Sequence, residues 1–124
     1  MENFMDVPAG THLCRVAEVR ISTTRAGDER WALRLVIAAG EFMGRQAAWD
    51  SLVFSVRGRA RARFVFAALG LSGTKDIKAT DLEGRQANVE VRPVQYLLPD
   101  GTPVSRNEVP YDGYGRVPPS EEVE

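Results

Sequence analysis

Few residues of this 124-residue chain are equipped for covalent or metal chemistry, and their spacing does not bring them together. The single histidine, His12, stands two positions before the single cysteine, Cys14. A tetrahedral metal site or a Ser-His-Asp relay needs further partners at set spacings, and the sequence barely supplies them. His12 reads as a surface or strand-edge residue and Cys14 as a small buried hydrophobe. Asp50, Asp76, Asp81 and Glu83 are scattered, mostly over turns, and read as solvated acids rather than a metal cluster. The run GEFMGR, Gly40 to Arg45, carries two glycines but no Lys-Ser/Thr successor, so it is not a phosphate loop. The expectation is a non-enzymatic protein with no catalytic residue, no cofactor and no metal.

What the sequence does supply is arginine, which accounts for 14 of its 16 basic residues. Its planar guanidinium suits bidentate phosphate contacts and stacking better than a lysine ammonium does. A GC-rich genome gives the same bias, so the positions must decide. The formal net charge of −1 argues against coating nucleic acid by bulk charge. The charge is unevenly spread, however: between Arg15 and Arg63 ten arginines face five acids, whereas from Glu108 to Glu124 five acids face Arg116.

The elements that must position these arginines are mostly strands. Thr11 to Ser22 alternates as a strand, but Cys14 and Val16 share one parity and Val19 and Ile21 the other. A bulge between Arg15 and Glu18 reconciles them and lets a long first strand serve two parts of a curved sheet. Glu29 to Ala39 is a clear strand, with Trp31, Leu33, Leu35 and Ile37 on its core face. Arg45 to Val56 is a third, with Trp49, Ser51 and Val53 opposing Ala48, Asp50, Leu52 and Phe54 and its inward face left open; if Leu52 and Phe54 are inside, Asp50 lies with them. Such a carboxylate must lie at the strand's open end or be paired. Arg85 to Arg92 is a fourth, and Pro93 marks its end or an edge. Tyr96 to Val109 reads as a hairpin arm with Asp-Gly turn chemistry in LPDGTP.

The strongly helical stretch is Arg57 to Leu71, RGRARARFVFAALGL. Ala62, Val65, Phe66 and Leu69 form its apolar stripe, and Gly70 sits where a left-handed C-terminal cap is expected. Arginines at its N-terminus oppose the helix dipole, so something other than helix stability holds them there. Ser72 to Gly84 reads as a connector with a turn at Asp81 to Gly84. The order strand, strand, strand, helix, strand, strand is that of an all-β fold with one helix, the five-stranded Greek-key OB-fold barrel, with the helix between strands 3 and 4. A β-sandwich with an incidental helix is the alternative. The domain limits read as an arm over 1–9, the OB-fold over 10–112 and a flexible acidic tail over 113–124.

On an OB-fold, single-stranded nucleic acid is gripped by the outer face of strands 2 and 3 and by the loops joining strands 1 to 2 and 4 to 5. Those positions carry Arg25, Arg30, Arg34, Arg45, Trp49, Tyr96 and Arg106. Arg57, Arg59 and Arg63 at the helix start add an auxiliary basic flank. Trp31 shares parity with the core leucines and is assigned inside; the stacking candidates are Trp49, if it points outward, and Tyr96, whose alternative role is to cap the hairpin arm. The expected partner is single-stranded DNA, bound without sequence preference.

Several short runs, in order, carry a resemblance. They are Pro8-Ala9-Gly10-Thr11, Ile37-Ala38-Ala39-Gly40-Glu41-Phe42-Met43-Gly44-Arg45 followed by Trp49, Ala67-Ala68-Leu69-Gly70, Leu82-Glu83-Gly84-Arg85 and Arg106-Asn107-Glu108-Val109. Across residues 8 to 112 the chain resembles a family of small phage and prophage proteins of unknown function. Its members are similar to single-stranded-DNA-binding proteins and tend to be encoded beside phage DNA replication and recombination genes. The resemblance implies an OB-fold and single-strand binding, and it transfers no catalytic residue. The arginine-dense helix start and the scarcity of lysine depart from the family.

A second reading is an OB-like protein-interaction module, a phage accessory factor docking on a replication or recombination enzyme through the acidic tail and the hairpin arm. No apolar run is long enough to span a bilayer, and the N-terminus lacks the basic start and apolar middle of a secretory signal. The expected setting is the cytoplasm of a bacterial host, with no membrane partner; the sequence leaves homo-oligomer formation open.

Overall fold

The first strand changes its apolar face part-way along, and its backbone accommodates the change with a bulge. The computed structural model describes residues 7–71 and 76–117. Strand β1 (Gly10–Thr23) pairs antiparallel with β2 (Glu29–Ile37), and the register shifts between Val16 and Glu18. Its first half also pairs with β4 (Gln86–Leu97), from Gly10 opposite Val91 to Arg15 opposite Gln86. Before the bulge Cys14 and Val16 are buried; beyond it Val19 turns to the core, and Glu18 and Arg20 turn outward beside Arg34 and Ala32. The bulge expected between Arg15 and Glu18 is therefore present, and it lets one strand serve two sheet segments.

Most of the fold is antiparallel sheet in the order β3-β2-β1-β4-β5, with β3 at Gln46–Val53 and β5 at Pro103–Glu108. A sixth strand, β6 (Tyr114–Gly115), pairs with β4. β3 and β5 stand at opposite ends of this path yet pack beside each other, so the sheet curls back on itself. Inside the curl lie Trp31, Leu33, Leu35 and Ile37 of β2, Ala48 and Leu52 of β3, and Ala87, Val89 and Val91 of β4.

Helix α1 (Arg59–Ala68) follows β3 closely. Its N-cap is Gly58, where a Cβ would run into the carbonyl oxygen of Val53, so only a glycine lets the chain turn this tightly from strand to helix. Ala62, Val65, Ala68 and Leu69 are buried, while Phe66 lies in a partly buried aromatic group with Trp31 and Phe54, its ring 6.1 and 6.2 Å from theirs. The helix ends as the sequence suggests. Gly70 has φ +86°, its N–H donates to Ala67 O (3.0 Å), and the Leu71 N–H donates to Phe66 O (2.8 Å). This paired closure satisfies two terminal carbonyls and delivers Leu71 to the core.

Asp50 does lie on the core side of β3, opposite Leu33, and it is paired. Its Oδ2 accepts from the Arg61 guanidinium (2.9 Å) and from the Tyr114 hydroxyl (2.7 Å). Arg61 also donates to the carbonyls of Ser51 (3.2 Å) and Tyr111 (3.1 Å). One carboxylate thus ties β3, α1 and β6 together, which accounts for an arginine near the helix start against the dipole.

Four expectations need correction. The strands number six among the described residues, not five, because Tyr114 carries enough apolar ring to bury itself (5% exposed) and draws β6 onto β4. The tail expected from residue 113 is not free at its start, since Tyr114 and Gly115 form β6; residues 118–124 lie outside the described residues, as do residues 1–6 of the expected arm. β4 does not stop at Arg92: it runs through Pro93 to Leu97, and from Arg92 onward it pairs with β5 and no longer with β1, so the proline sits at an edge. The connector before β4 contains a short helix, α2 (Ala79–Leu82), whose Leu82 is fully buried. Among the described residues no helix is long and apolar enough to cross a membrane.

Two tests follow from this packing. Arg61→Ala leaves the Asp50 carboxylate, 11% exposed, without its cation, and should lower unfolding free energy by about 3 kcal/mol in urea titrations. Burial pushes the Cys14 thiol up from 9.0 to about 12. At about pH 8 it should resist iodoacetamide until the chain unfolds. The stability it carries is complete below its unfolded value of 9.0 and declines as the pH rises towards 12.

Candidate nucleic-acid interface

After the bulge, side chains of β1 alternate outward in step with β2 and β3. Glu18 lies opposite Arg34, which lies opposite Trp49; in the next row Arg20, Ala32 and Ser51 align; in the next, Ser22, Arg30 and Val53. Trp31 is buried on the other face, and Trp49 is half-buried on this one. Trp49 is therefore turned outward because Ala48, Asp50 and Leu52 take the inner positions of β3.

The small Ala32 leaves room for a diagonal contact. The Arg20 guanidinium crosses above it and lies over the Trp49 ring, 4.8 Å from the centroid. Arg20 Nε donates to Glu18 Oε2 at 2.7 Å, and Arg34 Nε donates to the other oxygen, Oε1, at 3.1 Å. Hydrogen bonds from Arg20 and then from Arg34 hold the Glu18 carboxyl below its ordinary range, so it stays ionised into mild acid.

Facing this surface is the β4–β5 arm. Its tip turns through Gly101 at φ +89°, with the Leu98 N–H donating to Thr102 O at 2.9 Å. Tyr96 lies along the arm with its hydroxyl donating to Glu108 Oε2 (3.0 Å) and the Arg106 guanidinium 4.7 Å above its ring. At the base of the arm the buried Asn107 donates through Nδ2 to Val7 O (3.0 Å), fixing β5 to the chain ahead of β1.

Between sheet face and arm runs a cleft of about 1660 Å³. Arg20, Arg30, Arg45 and Arg106 line it with Trp49 and Tyr96, against two acids, Asp50 and Glu108. Asp50 is already engaged by Arg61 and Tyr114, and the arginines in the lining outnumber the acids. Tyr114 keeps its proton: burial first, then the Asp50 charge, raises its hydroxyl well above its ordinary value.

Of the residues expected from sequence, Arg30, Arg45, Trp49, Tyr96 and Arg106 line the cleft. Arg34 stands on the same face, bound to Glu18. Arg25 lies in the β1–β2 turn, and Arg57, Arg59 and Arg63 lie at and along the start of α1; all four are exposed and none lines the cleft. Sequence reasoning missed Arg20, although the parity change that required a bulge already put it on the outer face with Arg30 and Arg34. Glu18 and Ala32 gave no such signal, since their roles depend on neighbours on other strands. His12 is half-buried, with Nε2 2.8 Å from Pro8 O and its ring edge-on to Phe42. Among the described residues no group of three or more His, Cys, Asp or Glu is placed to hold a metal.

The two tryptophans offer a direct check of this face. With Trp31→Phe, the remaining Trp49 emission should be quenched by acrylamide more steeply than the Trp31 emission left by Trp49→Phe. Equal quenching would contradict the outward placement of Trp49.

Compared with protein-family models and with curated proteins, the chain finds no match in either.

Proposed function

We propose that the protein binds single-stranded DNA in the cleft between the outer face of β1–β3 and the β4–β5 arm, as a non-enzymatic OB-type barrel. The observation that carries this reading is that one trough is lined by four arginines and two aromatic rings. Arginines neutralise the phosphates, and the rings with their stacked guanidiniums offer flat surfaces for bases; neither feature reads sequence. The fold assignment draws on the strand order β3-β2-β1-β4-β5, a bulged β1 shared by both sheet segments, and the position of α1 between β3 and β4 in the chain. β6 is then an addition to the five-stranded plan.

The phage setting, replication or recombination in the cytoplasm of a bacterial host, follows from the resemblance of residues 8 to 112 to phage proteins similar to single-strand binders. A protein-interaction module remains the second reading, and what favours it is the apolar tip of the arm, where Leu97 is 71% and Leu98 43% exposed.

Fluorescence anisotropy with labelled oligo-dT tests the proposal. Binding should be measurable at micromolar protein in low salt. With Arg20 and Arg106 stacked on rings, Arg30, Arg34 and Arg45 engaging phosphates give a slope of log affinity against log salt of about −2, from ~0.7 per phosphate on single strands. Trp49→Ala should weaken binding by about tenfold, within the range for one stacked base. Absence of binding at micromolar protein in low salt would sink the reading.

A further inference from the structure

An acid in the same outer row as the half-buried Trp49 is an anomaly in a surface proposed to take phosphates. Glu18 sits on the outer face among Arg20, Arg34 and Trp49, where a carboxylate repels a polyanion. Its geometry suggests a different job. One oxygen holds Arg20 Nε at 2.7 Å, the other holds Arg34 Nε at 3.1 Å, and the Arg20 guanidinium thus anchored lies 4.8 Å from the Trp49 ring centroid. The Arg20 side chain is 67% exposed, so the face of its guanidinium turned away from Trp49 is open to solvent. Ala32, directly opposite Arg20 on β2, is the small residue that lets the side chain cross.

We propose that Glu18 is a positioning residue, and that the surface offered to a nucleobase is the outer face of the Arg20 guanidinium, held flat on Trp49 as the middle layer of a ring–guanidinium–base stack. This deepens the single-strand reading above and rests on it. Nucleobases stack on guanidinium planes as they do on aromatic rings, and an arginine whose Nε is already engaged loses less freedom on binding than a mobile one. Arg34, tied to the same carboxylate, keeps its remaining N–H groups for a phosphate. Glu18 therefore gives up one unit of favourable charge and gains a fixed stacking surface. The Arg106–Tyr96 pair across the cleft repeats the arrangement, with Glu108 bound to the Tyr96 hydroxyl in place of the arginine.

The prediction runs against simple electrostatics. Glu18→Gln removes a negative charge from the interface, yet oligo-dT affinity should fall about fivefold. Affinity for an abasic oligonucleotide of equal length, which offers phosphates without bases, should not fall. Arg20→Lys, which keeps the charge and loses the plane, should likewise lower oligo-dT affinity about fivefold and leave the salt slope unchanged. Denaturation midpoints of both variants, measured alongside, confirm that the exposed substitutions leave the fold intact. Oligo-dT binding by Glu18→Gln at wild-type strength or tighter would overturn the proposal, and so would equal weakening on both oligonucleotides. If the wild-type chain binds neither ligand, the single-strand reading itself falls, an outcome distinct from wild-type binding with an indifferent Glu18→Gln.

Discussion

A carboxylate on the core face of a strand has to be compensated, and much of this fold is arranged around that requirement. Asp50 stands opposite Leu33, which is fully buried, so an unpaired charge there would cost more than a small domain can spare. The compensation comes from two directions, Arg61 from α1 and Tyr114 from β6. Arg61 can reach because Gly58 lets the helix start hard against β3. Tyr114 can reach because β6 pairs with β4. Removing any of these contacts strands the others, which makes Tyr114 and Gly115 a structural part of the domain rather than an appendage.

The bulge in β1 is the second organising constraint, and it links fold to surface. Shifting the register between Val16 and Glu18 keeps Cys14 and Val16 in the core beside β4 while turning Arg20 outward beside β2. Without the extra residue the parity would invert, placing Glu18 and Arg20 in the interior and Val19 in solvent. The same irregularity that lets the sheet curl therefore creates the basic outer face.

Which parts of this were legible in the sequence follows from how local their causes are. The strand faces of β2 and β4 were legible, because strict alternation over many residues has one interpretation. The bulge was legible from the parity conflict, and the cost of burying Asp50 narrowed it to an open strand end or a partner without choosing between them. The partner Arg61 was not legible, since choosing among arginines at 57, 59, 61 and 63 needs the angle at which the helix meets β3. β6 was missed because two residues among glycines carry no periodicity; the burial of Tyr114 is decided by a strand far away in sequence. Within the cleft, arginines could be assigned to the outer face strand by strand. The contact of Arg20 with Trp49 could not, because it passes diagonally across β2 and depends on Ala32 being small.

The arm deserves a mechanical reading. Beyond Arg92, among the described residues, β4 and β5 have only each other as ladder partners, so one wall of the cleft is a two-stranded ribbon while the other is a three-stranded face backed by the core. Two-stranded ribbons twist more and hold themselves less firmly than sheets. Bending the ribbon about its base, where Asn107 bonds Val7, therefore costs less than deforming the sheet. A groove with one stiff and one compliant wall can change its width while the stiff side keeps its register.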